Sequence, residues 1–337
     1  MVAARMHSFY ELNHRRQVLR LRGLAAAALK EYDIRVRRIS VLQHYQNTTF
    51  LVDGVTDDRA ERFVLRIHRP AYHDVAAVAS ELEWLSAIRR DTQLVVPDPV
   101  PTRDAVMLTV VTVPEVPEAR ICVLFRWIYG QMLRPPRSSQ TLESVGRFIG
   151  EIHRHADVFR RSPGFARRRW NLQGIHGRAV GLQPGRERGL LSGAEQKLVE
   201  RALHRTGAAM RDLGEGSDVF GLIHSDLFWR NLLVHHRRLR AIDFDGCGFG
   251  YYAYDLAVTL TDERHTTRHA EVRAAVLQGY RSVRRLSEEE EAYLDVFIAA
   301  RLTVHALWVA ANIGAPLSSE KSKRFMSEQM AKLRELV

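Results

Sequence analysis

One stretch of this chain gathers residue types that can handle phosphate and metal. His224-Ser225-Asp226 is followed by Asn231, and Asp243 and Asp245 come after an intervening turn. Residues 231–235 and 239–244 read as two short apolar strands joined by a basic turn at 236–238. Pairing about that turn puts Asn231 beside Asp243 at the open end, next to Asp226. One amide oxygen and two carboxylates there make a hard-oxygen set suited to Mg²⁺. Each residue alone reads more readily as a turn or cap residue; the spacing of the three together points to chemistry.

These residues need a scaffold, and the pattern of the chain supplies one. Residues 13–31 have the apolar spacing of a helix. Residues 36–42, 49–53 and 62–67 read as strands with Gln-Asn and Asp-Gly connections between them. A helix follows from the N-cap Asp74 to Arg90, then an extended Val95-Val96-Pro97-Asp98-Pro99 linker and two more strands at 105–111 and 120–127. Beyond Tyr129-Gly130 the period turns helical, over 142–156, 193–213, 270–285 and 288–313, with Ser287 as the N-cap of the last. The expectation is an α+β chain: a small sheet-rich lobe, a connector and a larger helical lobe.

Charge narrows the function classes. The 337 residues carry a net +11, and of 50 basic side chains only five are lysine, none of them between Tyr32 and Gln196. Any cation required from the first half of the chain must be an arginine. The excess concentrates in residues 1–40 and 154–188, which argues against a surface that coats nucleic acid, and no helix-turn-helix, zinc or RNA-recognition signature is present. The run Arg167-Arg168-Arg169-Trp170 reads as a solvated face, with gathering an anionic substrate or holding a loop as its alternatives. His153 and His155 read as packing or surface residues. Two cysteines make neither a disulfide framework nor a metal cluster. The start lacks a signal-peptide core, and Arg301 and His305 interrupt the most apolar late segment, so a buried helix is expected there and a cytoplasmic location follows by default.

The spacing His224-x-Asp226-x₄-Asn231, with Asp243 after a hairpin, is similar to that of protein kinases, where an Asp orients the acceptor hydroxyl and an Asn and a later Asp hold metal. HSDLFWRNLLV and AIDFDGCGFGYYAYDLA resemble the aminoglycoside phosphotransferase family, which includes homoserine-kinase-like, choline-kinase-like and bacterial stress-response kinases. The resemblance runs from about residue 35 to 260. It implies a bilobal protein-kinase-like fold, with residues 1–121 as a nucleotide-binding lobe, 122–130 as a hinge and 131–337 as a catalytic and substrate-binding lobe. It implies ATP and Mg²⁺ as cofactors and a small-molecule hydroxyl as acceptor. Asp226 is then the catalytic residue, Asn231 and Asp243 the metal ligands, and Asp255 a brace for the catalytic loop, while His224 is architectural. Arg66 takes the place of the phosphate-contacting lysine, with Glu81 as its partner. Thr48 and Thr49 contact phosphate from a loop with no glycine-rich signature, and backbone groups of Arg126 and Ile128 hold adenine. Helical geometry independently sets Glu81 at the edge of an apolar arc formed by Val75, Val78, Leu82 and Leu85, where a carboxylate requires a partner.

Other readings stay open at this point. A serine/threonine protein acceptor, or a catalytically silent nucleotide-binding protein, fits the same motifs. Ile242-Asp243-Phe244-Asp245-Gly246 also resembles the nucleophile loop of aspartate-dependent phosphatases, but the helical segment after it lacks the parallel sheet that chemistry needs. The basic stretch at 154–188 tilts the acceptor away from polycationic aminoglycosides and towards a neutral or anionic molecule.

Overall fold

The computed structural model describes residues 9–134, 138–176, 191–311 and 319–337. The chain divides into two compact units, one of Met1–Ser86 with Pro97–Ile128 and the other of Ala87–Val96 with Tyr129–Val337. Part of the basic stretch, residues 177–188, lies outside the described residues, as do residues 1–8 and the end of the expected helix at 312–313.

The first unit holds helix α1 (His14–Leu29), strands β1 (Arg35–His44), β2 (Thr48–Thr56) and β3 (Arg59–Ile67), most of helix α2 (Val75–Asp91), and strands β4 (Thr109–Val113) and β5 (Val116–Arg126). The five strands form one antiparallel sheet in the order β1-β2-β3-β5-β4. One face, carrying Phe50, Val52, Phe63, Leu65, Ile67, Cys122 and Leu124, packs on Leu21, Leu24, Ala25 and Ala28 of α1. The sequence places a connection at Asp53-Gly54, yet β2 runs through it to Thr56. The chain turns instead at Asp57 and Asp58, both at positive φ, the geometry of a two-residue hairpin loop. Along α2, Asp74 caps the helix as expected, its side chain accepting the Ala77 N–H at 2.7 Å. Val78, Leu82 and Leu85 are buried, whereas Val75 in the first turn is exposed.

The second unit is mostly helical. It contains β6 (Gln131–Met132), α3 (Ser139–Val158), β7 (Arg169–Trp170), α4 (Leu172–His176), α5 (Gly193–Leu213), β8 (Phe220–Ile223), β9 (Leu232–His235), β10 (Arg238–Ala241) and β11 (Gly248–Tyr251). Helices α6 (Tyr252–Thr261), α7 (His269–Arg281), α8 (Glu288–Ala292), α9 (Leu294–Ala311) and α10 (Ser319–Arg334) complete it. The single helix expected over 288–313 is two, since Tyr293 ends α8 before α9 begins; Ser287 caps α8 in a reciprocal capping box with Glu290. Helix α9 packs against α5, α6 and α10. Among the described residues no helix is long and apolar enough to cross a membrane.

Helices α3 and α7 approach closely because each presents a glycine to the other's backbone. A Cβ on Gly146 would lie 1.8 Å from the Val276 carbonyl oxygen, and one on Gly279 would lie 1.9 Å from that of Glu143. Neither obstacle is a side chain that can swing away. Gly146→Ala should therefore force the helices apart and cost about 1–3 kcal/mol of stability, measured by urea unfolding; a variant as stable as the parent would contradict this packing.

Candidate active site

The loop that carries Asp226 begins where β8 ends. Ser225 takes a left-handed backbone conformation (φ 69°), which turns the chain so that two consecutive amides point the same way. Both donate to Asp255 in the first turn of α6: the His224 N–H at 2.8 Å and the Ser225 N–H at 2.6 Å. Asp255 is fully buried, and its remaining partner is His153 of α3, 3.2 Å away, whose other ring nitrogen meets the Tyr280 hydroxyl at 3.0 Å. The His224 ring ties the loop to the following hairpin. Its Nε2–H donates to the Ile242 carbonyl at 3.1 Å, and its Nδ1 accepts the Asp226 N–H at 3.2 Å, an arrangement only the neutral ring can make. His153, read from sequence as a packing or surface residue, is thus part of the loop's internal bracing.

Asp226 itself is half-buried and held from two sides. Asn231 donates through Nδ2 to the Asp226 carbonyl at 2.7 Å and to its carboxylate at 3.0 Å. Arg301 of α9 pairs with the other carboxylate oxygen, donates to the Ser225 carbonyl at 3.3 Å, and lies 4.7 Å from the centre of the Phe228 ring. From sequence, Arg301 is only a charge that interrupts an apolar segment. Its signal was there, since a cation on the buried face of an apolar helix requires a partner anion.

The hairpin after the loop differs in register from the sequence expectation. His235 pairs with Arg238 and Leu232 with Ala241, because His236 and Arg237, both at positive φ, close a two-residue turn rather than one spanning 236–238. Asn231 therefore stands opposite Ile242, whose N–H it accepts at 2.9 Å, and not opposite Asp243. Asp243 follows in a left-handed conformation (φ 67°, ψ 60°) that redirects the chain into a short turn, 244–246. The basic run before β7 braces this turn. Arg167, buried, donates to the carbonyls of Asp245 at 2.6 Å and Cys247 at 2.7 Å, and the Trp170 indole and Ser225 hydroxyl both donate to the Gly246 carbonyl. Loop support is thus what Arg167 does, and a wholly solvated run is not what is found.

The donor set suits a hard cation. Because Asn231 commits its amide nitrogen to Asp226, its oxygen is turned the other way, as metal ligation requires. Among the described residues no three His, Cys, Asp or Glu side chains converge as a metal cluster, so a cation here would rest on Asn231 and Asp243 with water and phosphate oxygens.

In the first unit, Arg66 and Glu81 form the buried ion pair that helix geometry required, with Nη2 at 2.8 Å from both carboxylate oxygens. The guanidinium lies 4.9 Å from the centre of the Phe125 ring. The sheet register separates the two threonines. Thr49 pairs with Arg66 and shares its face, whereas Thr48 pairs with Ile67 and shares the face that packs on α1. The hydroxyl of Thr48 meets His44 Nδ1 at 2.7 Å. Arg126 ends β5 with its N–H already donated to the Asp98 carbonyl at 2.9 Å, so it offers no amide to adenine; Ile128 lies beyond the strand end.

Burial lowers the pKa of His153, His224 and His305 below the usual histidine value, so all three are neutral in the folded protein. Burial alone would raise the Asp255 carboxyl, but hydrogen bonds from His153 and the His224 backbone hold it below the usual range. On acidification the unfolded chain protonates histidine near pH 6.5 while these folded histidines resist. Stability should therefore fall as the pH drops below about 6.5, until each folded pKa is reached. The stabilisation from Asp255 persists until the pH drops below about 3.9 and is lost as it passes through the lower folded value. Urea unfolding should give a lower stability at about pH 5.5 than at about pH 7.5; equal stabilities would contradict three neutral buried rings.

Comparison with known proteins shows the family. Residues 38–293 match the model of the phosphotransferase enzyme family (APH). The chain is 29% identical to an uncharacterised protein of Deinococcus radiodurans over 86% of this chain and 81% of that one. It is 27% identical to homoserine kinase of Cupriavidus pinatubonensis over 84% of each. Its structure resembles that of a microcompartment-associated aminopropanol kinase with a TM-score of 0.77 and 29% identity, over 92% of this chain and 94% of that one. The two units thus form a bilobal protein-kinase-like fold. With the Asp-x₄-Asn loop, the following hairpin aspartate and the buried brace all in this fold, the chain belongs to the aminoglycoside-phosphotransferase family of kinases and is an enzyme that phosphorylates a hydroxyl.

Proposed function

We propose that the enzyme moves the γ-phosphate of ATP, with Mg²⁺, to the hydroxyl of a small amine-bearing alcohol. The observation that carries this reading is the arrangement around Asp226, a half-buried carboxylate fixed by Asn231 on one oxygen and Arg301 on the other. Each carboxylate oxygen has a second lone pair, so a bound hydroxyl can still donate to Asp226. The acceptor oxygen attacks the γ-phosphorus, its proton passes to Asp226, and the bond from the γ-phosphorus to the β–γ bridging oxygen breaks to release ADP. A Mg²⁺ held by Asn231 and Asp243 supplies charge neutralisation to the phosphate oxygens. Asn231 serves two purposes, ligating through its oxygen while its nitrogen orients Asp226. Arg66, fixed by Glu81, binds the α and β phosphates, and Thr49 on the same sheet face adds a hydroxyl.

The acceptor class rests on a cavity of about 1100 Å³ in the second unit, against the catalytic loop. Trp229 and Arg230 of the loop line it, together with Arg134, Asp262, Glu263 and Thr266. Both signs of charge are present, so Asp262 can hold an ammonium while Arg230 accepts a carboxylate where the acceptor has one. Relatives named for homoserine and for aminopropanol share the ammonium-bearing alcohol and differ in the carboxylate. The basic stretch at 154–188 alone points to a neutral or anionic acceptor; the carboxylates of the cavity favour one that also carries a cation.

Labelled ATP incubated with pools of amino alcohols, hydroxy amino acids, aminoglycosides and proteins tests the reading. Label is expected in the first or second pool, and label in protein alone would overturn the small-molecule assignment. Asp226→Asn should lower kcat by at least about 10³-fold with ATP affinity within about twofold, in line with loss of a positioned base. Arg301→Met should lower kcat roughly tenfold and leave the KM for ATP unchanged. An Asp226→Asn enzyme with parental kcat would remove Asp226 from the chemistry.

A further inference from the structure

Helix α1 lies outside the family-matched segment, which begins at residue 38, yet a chain of hydrogen bonds runs from it to the first residue of β2. Gln17 donates through Nε2 to the Leu12 carbonyl at 2.9 Å, which fixes the sense of its amide and turns Oε1 towards His44. His44 Nε2 lies 3.1 Å from that oxygen and must be the protonated nitrogen, since an amide oxygen only accepts. In the neutral ring Nδ1 is then an acceptor. The Thr48 hydroxyl, 2.7 Å from Nδ1, is left as the donor. The ring is neutral because burial, with smaller contributions from His14 and Arg120, lowers its pKa to about 4. His14, also on α1, reaches the His44 carbonyl at 3.4 Å.

Every donor and acceptor in this chain is thereby assigned, and the assignment has a consequence for the loop at 45–47. The Thr48 hydrogen points towards α1 and not towards the Arg66 face of the sheet. A hydroxyl whose hydrogen is committed offers a phosphate only lone pairs, which repel it. The loop is closed across its base by the His44–Thr48 hydrogen bond and pinned at its last residue by Asn47, whose Oδ1 accepts the Arg69 N–H at 3.2 Å.

We propose that α1 is a working part of the nucleotide site, in which Gln17, His44 and Thr48 are positioning residues that set the β1–β2 loop, so that the loop backbone and Thr49, not the Thr48 hydroxyl, receive the phosphates. This rests on the ATP-transfer reading above. The test measures binding of ADP with magnesium by calorimetry, and ATP-dependent kinetics, for Gln17→Leu, His44→Leu, Thr48→Val, Thr48→Ser and the His44→Leu/Thr48→Val double variant. Breaking the chain at any link should weaken ADP on the order of fivefold, as expected for one net hydrogen bond, with kcat within about twofold. Thr48→Ser, which keeps the hydroxyl, should restore the affinity. The double variant should bind no more weakly than its worse single, because both remove the same chain. Loss of affinity in Thr48→Val but not in Gln17→Leu or His44→Leu would mean that Thr48 touches phosphate itself, and would overturn the proposal. If His44→Leu fails to fold, Gln17→Leu and Thr48→Val still decide. Parental protein that binds no ADP would instead overturn the ATP reading on which it stands.

Discussion

The second unit is arranged around a single buried carboxylate. Asp255 accepts two consecutive backbone N–H groups from the loop that carries Asp226 and is itself met by His153. Two amides can address one carboxylate only if the chain between them turns sharply, and the left-handed conformation of Ser225 provides that turn. The strain at Ser225 is tolerable because charge-assisted hydrogen bonds in a buried setting are stronger than ordinary ones. Asp255 in turn depends on the place of α3, which carries His153, and α3 depends on the glycine crossing with α7. The close approach of Gly146 and Gly279 is thus connected by backbone and side-chain contacts to the orientation of Asp226.

Around Asp226 the same economy recurs: each group serves two partners. Asn231 orients the carboxylate with its nitrogen and, in the proposed reaction, keeps its oxygen for a cation. His224 joins the loop to the hairpin through its two nitrogens, which requires the neutral ring that burial maintains. Arg301 neutralises Asp226 and ties Ser225 to α9, and the Phe228 ring against it excludes water from one side. In such a network each partner helps to satisfy another, and the removal of one leaves another buried without its complement.

The strands of the first unit, the helices of the second and the Asp-Asn-Asp spacing were legible because they depend on local pattern, on apolar period and on residue type. What was not legible depends on pairing. The hairpin register slipped by one because His236 and Arg237 carry no glycine or asparagine to advertise a left-handed two-residue turn. Thr48 and Thr49 looked equivalent in sequence, and only the alternation of a paired strand sends them to opposite faces. Arg301 lies 75 residues from Asp226 in the chain, and the charge demanded a partner without naming it. The Arg66–Glu81 pair was legible for the converse reason: a buried-edge carboxylate on one helix and a lysine-free first half leave few candidates.

That lysine-free half also determines how a phosphate clamp can be built. A lysine has one nitrogen, so holding a buried glutamate and a phosphate together makes the two compete for the donors of a single atom. A guanidinium spreads five donors over three nitrogens in a planar fork. Arg66 directs Nη2 to both oxygens of Glu81, and the Phe125 ring lies against its guanidinium. The partner and the ring restrain the plane of the fork. In the proposed reaction the arginine is therefore not a lysine of longer reach but a different division of labour, in which one nitrogen anchors and so orients the guanidinium plane. An arginine-to-lysine exchange at this position would keep the charge and lose that division, so its effect belongs to nucleotide geometry before it belongs to charge.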